Sequence, residues 1–477
     1  MYPDVLLHIN GAWRRGAGEA RGTVLNPATG KPIGTVAHAA LSDLDEALEA
    51  VSRGFATWSR ISAFDRYRIM RRAADFLRDR QNDIARLMTL EQGKPLADSL
   101  AEVIRGADTI DWFAEEGRRA YGKIVPSRAL AVQQYVVKEP VGPVAAFTPW
   151  NFPINQAVRK VGAALACGCS VILKGPEETP ASVAALVQAF VDAGLPEGVL
   201  NLVFGQPAMI SEYLIPHPVI RKISFTGSTA VGKHLASLAG QHMKRVTMEL
   251  GGHAPCLVFD DADIPSAIQI LVSRKFRNTG QTCTSPSRLL VQSGIYVEFV
   301  ERFVEAARAV KVGNGLDEGV EMGPLANIRR LEAMEAYVAD ALDRGATLRT
   351  GGHRIGNEGY FYAPTVLTEV PREARMMNEE PFGPILPINS FATYEEAVRE
   401  ANRLNFGLSA YAYTRSARLA ADLARDIETG MISINHQGLG MIEVPFGGVK
   451  DSGYGSEGGS EAMEDYLNNK VVTLNIL

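Results

Sequence analysis

The feature that most constrains the fold of this chain is an alternation of short apolar runs with helical stretches, which begins near Val141. Parallel strands need crossover connections, which helices usually supply, so this alternation predicts β-α-β units and a parallel sheet. A second alternating series runs from residue 255 to about residue 434. The sequence therefore predicts an α/β fold with two lobes. The clearest members are residues 144–147, 155–167, 171–173, 181–193 and 199–204 in the first series, and 289–291, 296–312 and 397–405 in the second.

The ends of the chain differ from this pattern. Most of the first 120 residues are predicted to be helical, because residues 43–52 and 63–88 carry apolar residues at three- and four-residue spacing, with Ser42 as a helix start. Residues 133–138 alternate like a strand, and residues 471–476 form an apolar terminal strand. Such a strand usually pairs with another, so we expect a small β extension that makes subunit contacts.

Composition excludes several classes of function. The 477 residues are 46% hydrophobic and 22% charged, with a net charge of −5 and no basic stripe that would indicate nucleic-acid binding. The first ten residues lack a signal-peptide pattern, and the longest apolar stretch, residues 161–173, is too short to span a membrane. We expect a cytoplasmic protein, or a matrix protein without its presequence, with no nucleic-acid or membrane partner.

The four cysteines separate into two kinds. Cys167, Cys169 and Cys256 lie in apolar runs and are predicted to be small core residues. The C-x-C pair has no second pair to complete a zinc site, and the eight histidines do not cluster, so we predict no catalytic metal. Cys283 is different because it follows a Gly-Gln-Thr turn. It is either inert or a nucleophile, and partners elsewhere in the chain must decide.

Two glycine patterns suggest nucleotide binding to different degrees. The run GSTAVGK from Gly227 matches seven positions of a P-loop, but the eighth is His234, where magnesium binding needs Ser or Thr, so an ATP-dependent enzyme is disfavoured. A predicted strand at 223–225 followed by a helix still places Gly227 and Ser228 at a helix N-terminus, which attracts phosphate. The G-x-G-x-x-G run at 453–458 lies too near the C-terminus to open a β-α-β unit and is predicted to be a flexible loop.

Seven short motifs occur in order along the chain: PWNFP from Pro149, KGPE from Lys174, FTGS from Phe225, ELGG from Glu249, GQTC from Gly280, EPFGP from Glu380 and PFGGVK from Pro445. In this order and spacing they resemble the NAD(P)-dependent aldehyde dehydrogenase superfamily over nearly the whole chain. The resemblance implies a Rossmann-type NAD-binding lobe of residues 1–120 and 141–251, and a catalytic lobe of residues 252–450. It also implies an oligomerisation extension of residues 121–140 and 458–477, in a homodimer or homotetramer.

The resemblance also implies catalytic roles that suit the chemistry of aldehyde oxidation. Cys283 would attack the aldehyde and form a thiohemiacetal. The side-chain amide of Asn151 and the backbone N–H of Cys283 would hold the developing oxyanion. Glu249 would activate the water that hydrolyses the thioester, which disfavours a CoA-acylating enzyme. The presence of all three residues disfavours a catalytically silent relative.

Seven residues match the family's cofactor positions. Ser228 would meet the pyrophosphate, Lys174 the adenosine ribose and Glu380 the nicotinamide ribose, while Phe382 would pack by the nicotinamide ring. A carboxylate at Glu177 can accept hydrogen bonds from both hydroxyls of the adenosine ribose and would repel a 2′-phosphate, so we predict NAD over NADP. The full set is Trp150, Lys174, Glu177, Gly227, Ser228, Glu380 and Phe382.

Four residues are predicted to contact the aldehyde: Phe152, Arg159, Arg277 and Phe446. Both arginines match positions at which succinate-semialdehyde dehydrogenases bind the distal carboxylate of the substrate, a task that suits a guanidinium. Solvated arginines or a structural ion pair remain the alternative.

The match to succinate-semialdehyde dehydrogenases is incomplete in the loop before Pro445. Those enzymes usually carry serines there, whereas this chain has Gly440 and Met441, which supply no hydroxyl. The loop leaves room for a longer substrate, and the chain also resembles 2-oxoglutarate-semialdehyde (2,5-dioxopentanoate) dehydrogenases. Ser285 occupies the place of a second cysteine found in some relatives, so we predict no disulfide switch.

Overall fold

A computed structural model describes residues 2–436 and 438–476. The helices are, in chain order, α1 (Leu41–Trp58), α2 (Ala63–Asp79), α3 (Gln81–Gln92), α4 (Leu96–Gly117), α5 (Pro153–Ala166), α6 (Pro180–Asp192), α7 (Pro207–Leu214), α8 (Thr229–Gln241), α9 (Ile264–Phe276), α10 (Tyr296–Ala309), α11 (Ile328–Asp343), α12 (Tyr394–Ala401), α13 (Ala417–Asp426) and α14 (Glu461–Glu464). Two short 3₁₀ helices, Arg277–Gly280 and Arg375–Met377, complete the helical elements.

The strands are, in chain order, β1 (Leu7–Ile9), β2 (Ala12–Arg14), β3 (Arg21–Asn26), β4 (Lys31–Ala37), β5 (Lys123–Val125), β6 (Val132–Pro140), β7 (Val144–Phe147), β8 (Val171–Lys174), β9 (Leu200–Val203), β10 (Lys222–Thr226), β11 (Arg245–Glu249), β12 (Ala254–Val258), β13 (Pro286–Gln292), β14 (Thr347–Thr350), β15 (Thr365–Thr368), β16 (Ile385–Phe391), β17 (Phe406–Gly407), β18 (Ser409–Tyr413), β19 (Met431–Ile434), β20 (Val449–Lys450), β21 (Gly453–Tyr454) and β22 (Leu467–Asn475).

The first sheet has the strand order β2-β1-β9-β8-β7-β10-β11-β21. Its five central strands, β9 to β11 in that order, are parallel, while β1, β2 and β21 join antiparallel. The strands β7, β8, β9 and β10 are buried along their whole length, as expected for a parallel sheet covered on both faces. Helices α1, α5, α6 and α8 pack against these strands.

The second sheet has the order β14-β15-β16-β13-β12-β18-β19 and is parallel except for β14. Alternate residues of β12 belong to two apolar cores, because side chains along a strand point to opposite faces. Cys256 and Val258 pack with residues of α9 and α10, whereas Leu257 packs with residues of α12 and α13. The predicted architecture of two α/β lobes is confirmed.

The small β extension is an antiparallel sheet of order β22-β6-β5. The terminal strand pairs with β6 over nine residues, from Leu467 opposite Pro140 to Asn475 opposite Val132. The terminal strand therefore pairs, as expected, with another strand, and that strand is β6 of the same chain. In the described part of the chain, no helix has the length and apolar character needed to cross a membrane.

The prediction that most of the first 120 residues are helical is confirmed by α1 to α4, although strands β1 to β4 were not predicted. Strands of three residues, such as β1 and β2, are too short to show a periodic pattern. Two local details also differ. The helical pattern predicted at 63–88 belongs to two helices, α2 and α3, which meet at Arg80, where φ is −102° and ψ is 10°. Helix α1 begins at Leu41, before Ser42, and the carboxylate of Asp43 accepts the N–H of Ala40 at 2.8 Å.

The predicted loop at 453–458 also differs, because Gly453 and Tyr454 form β21 and pair with the end of β11. Gly453 has a φ of 109°, and a Cβ there would lie 1.9 Å from the carbonyl oxygen of Met248. A glycine is therefore required for this segment to close the edge of the first sheet.

Candidate active site

The predicted site residues lie on two sheet edges. In the first sheet they follow the carboxyl ends of β7, β8, β10 and β11, which meet at one edge because these strands are parallel. In the second sheet they precede the amino ends of two adjacent strands, with Cys283 three residues before β13 and Glu380 five residues before β16. Residues far apart in sequence are thereby brought to a common cleft.

The cleft consists of two cavities of about 690 and 380 Å³ that share Pro149, Trp150, Thr226 and Gly227. Lys174 and Glu177 line the larger cavity. Every other predicted catalytic and cofactor residue lines the smaller one: Trp150, Asn151, Gly227, Ser228, Glu249, Cys283, Glu380 and Phe382.

Cys283 is held by a loop of unusual backbone conformation. Between the end of α9 and Cys283, the residues Asn278, Thr279 and Gly280 all have positive φ, at 48°, 58° and 69°. For a residue other than glycine, this conformation costs about 1–3 kcal/mol and is often found at functional sites. A Cβ at Gly280 would lie 2.1 Å from the carbonyl oxygen of Gly383, so the loop packs closely on the segment that carries Glu380.

The Cys283 thiol is half-buried, and its environment disfavours the thiolate. Burial raises the pKa of this thiol to about 12, the charges of Glu380 and Glu249 add to the rise, and Arg274 and Arg159 oppose it. Burial of the sulfur therefore favours the protonated thiol over the thiolate. A bound ligand or a proton acceptor has to favour the thiolate before it can attack.

The Asn151 side chain lies beside the Cys283 loop. Its Nδ2 donates to the carbonyl oxygen of Gln281 at 3.1 Å. An amide nitrogen has two protons, so the second is left for another acceptor. The amide oxygen is buried and has no hydrogen-bond partner among the described residues. This arrangement suits a donor that holds an oxyanion formed at Cys283.

Glu249 ends β11 and is buried, at 3% exposure. Neither of its carboxylate oxygens has a hydrogen-bond partner within the described residues, and a Cβ at Gly447 would lie 3.2 Å from Oε1. Desolvation raises the pKa of Glu249 well above its usual range, and the charge of Glu457 adds to this, while Lys160 and Arg159 oppose it. A carboxylate with a raised pKa and free oxygens is equipped to take a proton from water.

Sequence reasoning missed a buried ion pair behind Glu249. Lys160 and Glu457 form it, and Lys160 also donates to Thr226 Oγ1 at 2.6 Å. Ser224 Oγ donates to Glu457 Oε1 at 3.2 Å. Neither charge was recognisable in the sequence, because Lys160 continues the helical pattern of α5 and Glu457 stands in a glycine-rich run. Their charges act on the pKa of Glu249 in opposite directions.

The larger cavity has groups suited to a nucleotide. Glu177 Oε1 accepts the backbone N–H of Gly205 at 2.9 Å, and Lys174 Nζ donates to Glu177 Oε2 at 2.8 Å. The carboxylate is thus held in one orientation. Ser228, which lines the adjoining smaller cavity, is exposed at the N-cap of α8, where free backbone N–H groups favour an anion. The described residues therefore fit a dinucleotide. At one end, carboxylate oxygens can accept hydrogen bonds from ribose hydroxyls, and near the middle, backbone N–H groups can donate to phosphate.

The smaller cavity is also lined by two aromatic side chains, Trp150 and Phe382, and by the acidic side chain of Glu380. The rings of Trp150 and Phe382 meet edge to face, with centroids 5.7 Å apart. Glu380 Oε1 accepts the N–H of Gly252 at 3.0 Å, and desolvation raises the pKa of Glu380 to about 7. A flat aromatic group and a hydroxyl-bearing sugar could both be held here.

Arg330 is a second residue that sequence reasoning missed. It lines the smaller cavity, donates to the carbonyl oxygens of Pro381 and, at 3.1 Å, Phe382, and its guanidinium lies 5.8 Å from the ring centroid of Phe382. Phe382 has a φ of 46°. Arg330 thus holds a strained turn in the cavity wall. It stands at the start of α11, far from every motif, so the sequence offered no signal for it.

The four predicted substrate residues are not among those that line the Cys283 cavity. Arg159 donates to the carbonyl oxygens of Glu457 at 2.5 Å and Gly440 at 2.6 Å, and its guanidinium lies 4.8 Å from the ring centroid of Phe446. Desolvation lowers the pKa of Arg159, while the charges of Glu457, Glu249 and Cys283 raise it. Arg159 therefore lies close enough to the reacting groups to interact with them electrostatically.

Arg277 faces another cavity, of about 510 Å³, which Asp98 and Phe276 also line. Its Nε lies 3.4 Å from Asp98 Oδ1, and its guanidinium lies 5.5 Å from the ring centroid of Phe152. One terminal nitrogen, Nη2, is buried and has no hydrogen-bond partner in the described ranges. The structural ion pair that the sequence left as an alternative is present, with one donor still available.

The described residues include no group of three or more His, Cys, Asp or Glu side chains that could hold a metal ion. The smaller cavity brings together a thiol, an amide donor and a carboxylate, those of Cys283, Asn151 and Glu249. These three groups are of the kinds that support covalent acyl chemistry.

Comparison with known proteins supports the same chemistry. The family model described as "Aldehyde dehydrogenase family" matches residues 13–472. The chain is 45% identical to a 4-(hydroxymethyl)benzenesulfonate dehydrogenase of Comamonas testosteroni, over 98% of this chain and 97% of that protein. It is 40% identical to a succinate-semialdehyde dehydrogenase [NADP(+)] of Escherichia coli, over 98% and 97% of the two chains.

Among solved structures, the chain is similar to a succinate-semialdehyde dehydrogenase from Burkholderia pseudomallei. The TM-score is 0.97 at 41% sequence identity, and the match covers 99% of this chain and 98% of that one. The match of the family model over nearly the whole length, together with these identities, leads to one conclusion. The chain belongs to the aldehyde dehydrogenase family, and it is an enzyme that oxidises aldehydes with NAD(P) as cofactor.

Proposed function

We propose that this enzyme oxidises a carboxylated ω-semialdehyde with NAD, and that the substrate is succinate semialdehyde, which is converted to succinate. The observation that carries the proposal is that Cys283, Asn151 and Glu249 line one cavity of about 380 Å³. Two partly buried arginines support an anionic substrate: Arg159, whose charge is felt by Glu249 and Cys283, and Arg277, which lies six residues before Cys283. Two relatives named as succinate-semialdehyde dehydrogenases agree with this choice.

The proposed reaction begins at Cys283. Its thiol gives its proton to solvent water, and the thiolate sulfur forms a bond with the carbonyl carbon of the aldehyde to give a thiohemiacetal. The former carbonyl oxygen becomes an oxyanion, which accepts hydrogen bonds from Asn151 Nδ2 and the backbone N–H of Cys283. NAD, which Lys174, Glu177, Ser228 and Glu380 would hold, would supply the hydride acceptor. As the oxyanion re-forms a carbonyl and the hydride leaves the carbon, Cys283 would carry a thioester.

Glu249 acts in the second half of the reaction. Its carboxylate takes a proton from water, the resulting hydroxide attacks the thioester carbon, and the carbon–sulfur bond breaks to release the carboxylic acid. The free carboxylate oxygens of Glu249 support this role, since no described residue competes for them. If CoA accepted the acyl group, no water would have to be deprotonated and a buried base would not be needed. We therefore propose hydrolysis by water.

We propose NAD as the preferred cofactor because Glu177 would repel a 2′-phosphate. Glu177→Ser is expected to shift the ratio of kcat/KM for NAD over NADP toward NADP by roughly ten- to a hundredfold, the effect of losing a charged hydrogen-bond partner. Steady-state kinetics with both cofactors measure the ratio. The control is Glu178→Gln, a neighbouring carboxylate in the same cavity that pairs with Arg329 at 3.1 Å. An unchanged ratio in Glu177→Ser would show that Glu177 does not select the cofactor.

A larger anionic aldehyde is the second candidate, and Gly440 is the observation that favours it. A Cβ at this position would lie 3.7 Å from the Phe446 ring and 3.9 Å from Arg159 Nη2, so the glycine leaves space between these two groups. This methyl-sized space reduces crowding beside Arg159 for a larger anion, such as the longer 2-oxoglutarate semialdehyde or a sulfonated benzaldehyde. The relative named as a 4-(hydroxymethyl)benzenesulfonate dehydrogenase makes the sulfonate worth testing.

A substrate panel with arginine variants tests recognition of the anion. Arg159→Ala and Arg277→Ala are each expected to raise KM for the preferred anionic aldehyde by roughly ten- to a hundredfold, and to change KM little for a neutral aldehyde of equal length. The panel contains succinate semialdehyde, 2-oxoglutarate semialdehyde, a sulfonated benzaldehyde and their neutral analogues. The control is Arg105→Ala, an exposed arginine of α4 that donates to the Ala101 carbonyl. Equal losses on charged and neutral aldehydes would contradict anion recognition.

We also propose that the enzyme is a cytoplasmic homodimer or homotetramer. Exposed apolar residues on β22, among them Val471 and Leu474, support subunit contacts through the β extension. We propose that residues 1–120 and 141–251 form the NAD-binding domain and residues 252–450 the catalytic domain. Residues 121–140 and 458–477 would form the oligomerisation extension.

A further inference from the structure

The loop before Cys283 contains a buried asparagine whose side chain links three segments. Asn278 is 1% exposed. Its Oδ1 accepts a hydrogen bond from Gln92 Nε2 at 2.8 Å, and its Nδ2 donates to the carbonyl oxygens of Asn151 at 3.0 Å and Gln281 at 3.2 Å. All of these partners are distant in sequence or lie across the turn. The side chain therefore ties the nucleophile loop to the segment that carries the oxyanion donor.

A buried lysine holds the same carbonyl from another direction. Lys94 Nζ donates to the carbonyl oxygen of Asn151 at 2.7 Å and to Glu102 Oε2 at 2.6 Å. Glu102 Oε1 in turn accepts the backbone N–H of Ile154 at 2.9 Å, in the first turn of α5. The ammonium group also lies 4.0 Å from the ring centroid of Phe152. The Asn151–Phe152 segment is thus held on both sides of its peptide bond.

These contacts converge on Asn151. Its carbonyl oxygen accepts from Lys94 and Asn278, while its side-chain Nδ2 donates to Gln281, the residue two places before Cys283. Asn151, Asn278 and Gln281 thus form a closed set of hydrogen bonds that ends two residues before the backbone N–H of Cys283. Two donors that must meet one oxyanion need a fixed separation.

We propose that Asn278, supported by Lys94, is a positioning residue that sets the distance between the Asn151 amide and the Cys283 backbone N–H. The inference rests on the proposed role of Asn151 in holding the oxyanion. It also accounts for the positive φ of Asn278, because that conformation directs the side chain toward the Asn151 and Gln281 carbonyls. Misplacing an oxyanion donor affects the rate of the chemical step, whereas binding of the aldehyde and of NAD is unchanged.

A double-mutant cycle between Asn278 and Asn151 tests the proposal. Asn278→Gly keeps the positive φ without strain and removes the side-chain amide. It is expected to lower kcat for NADH formation roughly ten- to a hundredfold, with KM for the aldehyde and the NAD dissociation constant within about twofold of wild type. Asn151→Ala is expected to lower kcat by roughly 10²–10³-fold. The double variant is expected to be no slower than Asn151→Ala, because Asn278 acts through Asn151.

Thr279→Gly is the matched control. Thr279 also has a positive φ and is buried, but its Oγ1 donates to the carbonyl oxygens of Gly323 and Pro324. Its kcat is expected to fall less than that of Asn278→Gly, because the Thr279 side chain does not bond to Asn151 or Gln281. Asn278→Asp is a second variant that keeps the shape of the side chain but loses the amide donors, and it is expected to slow the reaction as much as Asn278→Gly. The rate of Cys283 alkylation by iodoacetamide is expected to be unchanged in both Asn278 variants.

The cycle is measured with propanal, so that its result does not depend on which anionic aldehyde the enzyme prefers. Losses for Asn278→Gly and Asn151→Ala that multiply in the double variant would overturn the positioning role. So would a kcat for Asn278→Gly equal to that of Thr279→Gly. If Asn151→Ala itself turns over at the wild-type rate, the proposed oxyanion role falls, and the positioning role falls with it. If Asn151→Ala is slow and Asn278→Gly is not, only the positioning role is wrong.

Discussion

Replacing Cys283 with alanine is expected to abolish NADH formation, with a fall in kcat of roughly 10⁴- to 10⁶-fold, the range found when an essential catalytic group is removed. The reason is chemical, because without the sulfur the aldehyde carbon cannot become tetrahedral and cannot give up a hydride. The side chain is half-buried, so its truncation leaves the fold intact. NADH absorbance measures the rate, and quenching of tryptophan fluorescence measures NAD binding, since Trp150 lines both cavities.

Cys256→Ala is the matched control for this variant. Cys256 is a fully buried thiol in the core of the second sheet, and burial keeps its pKa well above the usual range. Its removal is expected to lower stability slightly and to leave turnover and NAD binding unchanged. Appreciable turnover by Cys283→Ala, with NAD binding intact, would show that the enzyme does not use a cysteine nucleophile.

The Glu249→Gln variant is expected to produce a burst of about one NADH per active site and then to stall at the thioester, with the steady rate reduced roughly 10²- to 10⁴-fold. The amide has nearly the shape of the carboxylate but cannot accept a proton. Stopped-flow absorbance separates the burst from the steady rate. Hydroxylamine, which cleaves thioesters without a protein base, is expected to restore turnover. If the burst and the steady rate fall together, Glu249 is not mainly a base for hydrolysis.

The raised pKa of Glu249 predicts how the steady rate of the wild-type enzyme depends on pH. A carboxyl group is charged, and can act as a base, only above its pKa. Because the pKa of Glu249 is raised, this residue becomes an active base at a higher pH than an ordinary glutamate does. The steady rate of the wild-type enzyme is therefore expected to increase with pH well above the ordinary carboxyl range. Glu249→Gln is expected to lose this increase. A wild-type rate that is already constant above about pH 5 would contradict the raised pKa.

The sequence predicted the parts of the fold and site that local patterns encode. The strands β7, β8 and β10 were recognisable because a buried parallel strand is a short apolar run between turns. Cys283 and Glu249 were recognisable because each stands within a short motif. The three-residue strands β1 and β2 were missed, since a pattern needs more residues than they have. The break at Arg80 was missed as well, because apolar spacing continues across it.

By itself, therefore, the sequence determined the α/β class and the family, and it supplied the side chains that we propose to react. The tertiary structure alone decided which residues surround them. Lys160 and Glu457 are 297 positions apart and meet only because α5 and the C-terminal segment pack together. Arg277 pairs with Asp98, and Asn278 meets Asn151, through contacts of the same kind. The physical reason is that periodicity and short motifs record the local chain, whereas the pKa of Glu249 and the position of Asn151 depend on charges and donors that only folding brings within a few ångströms.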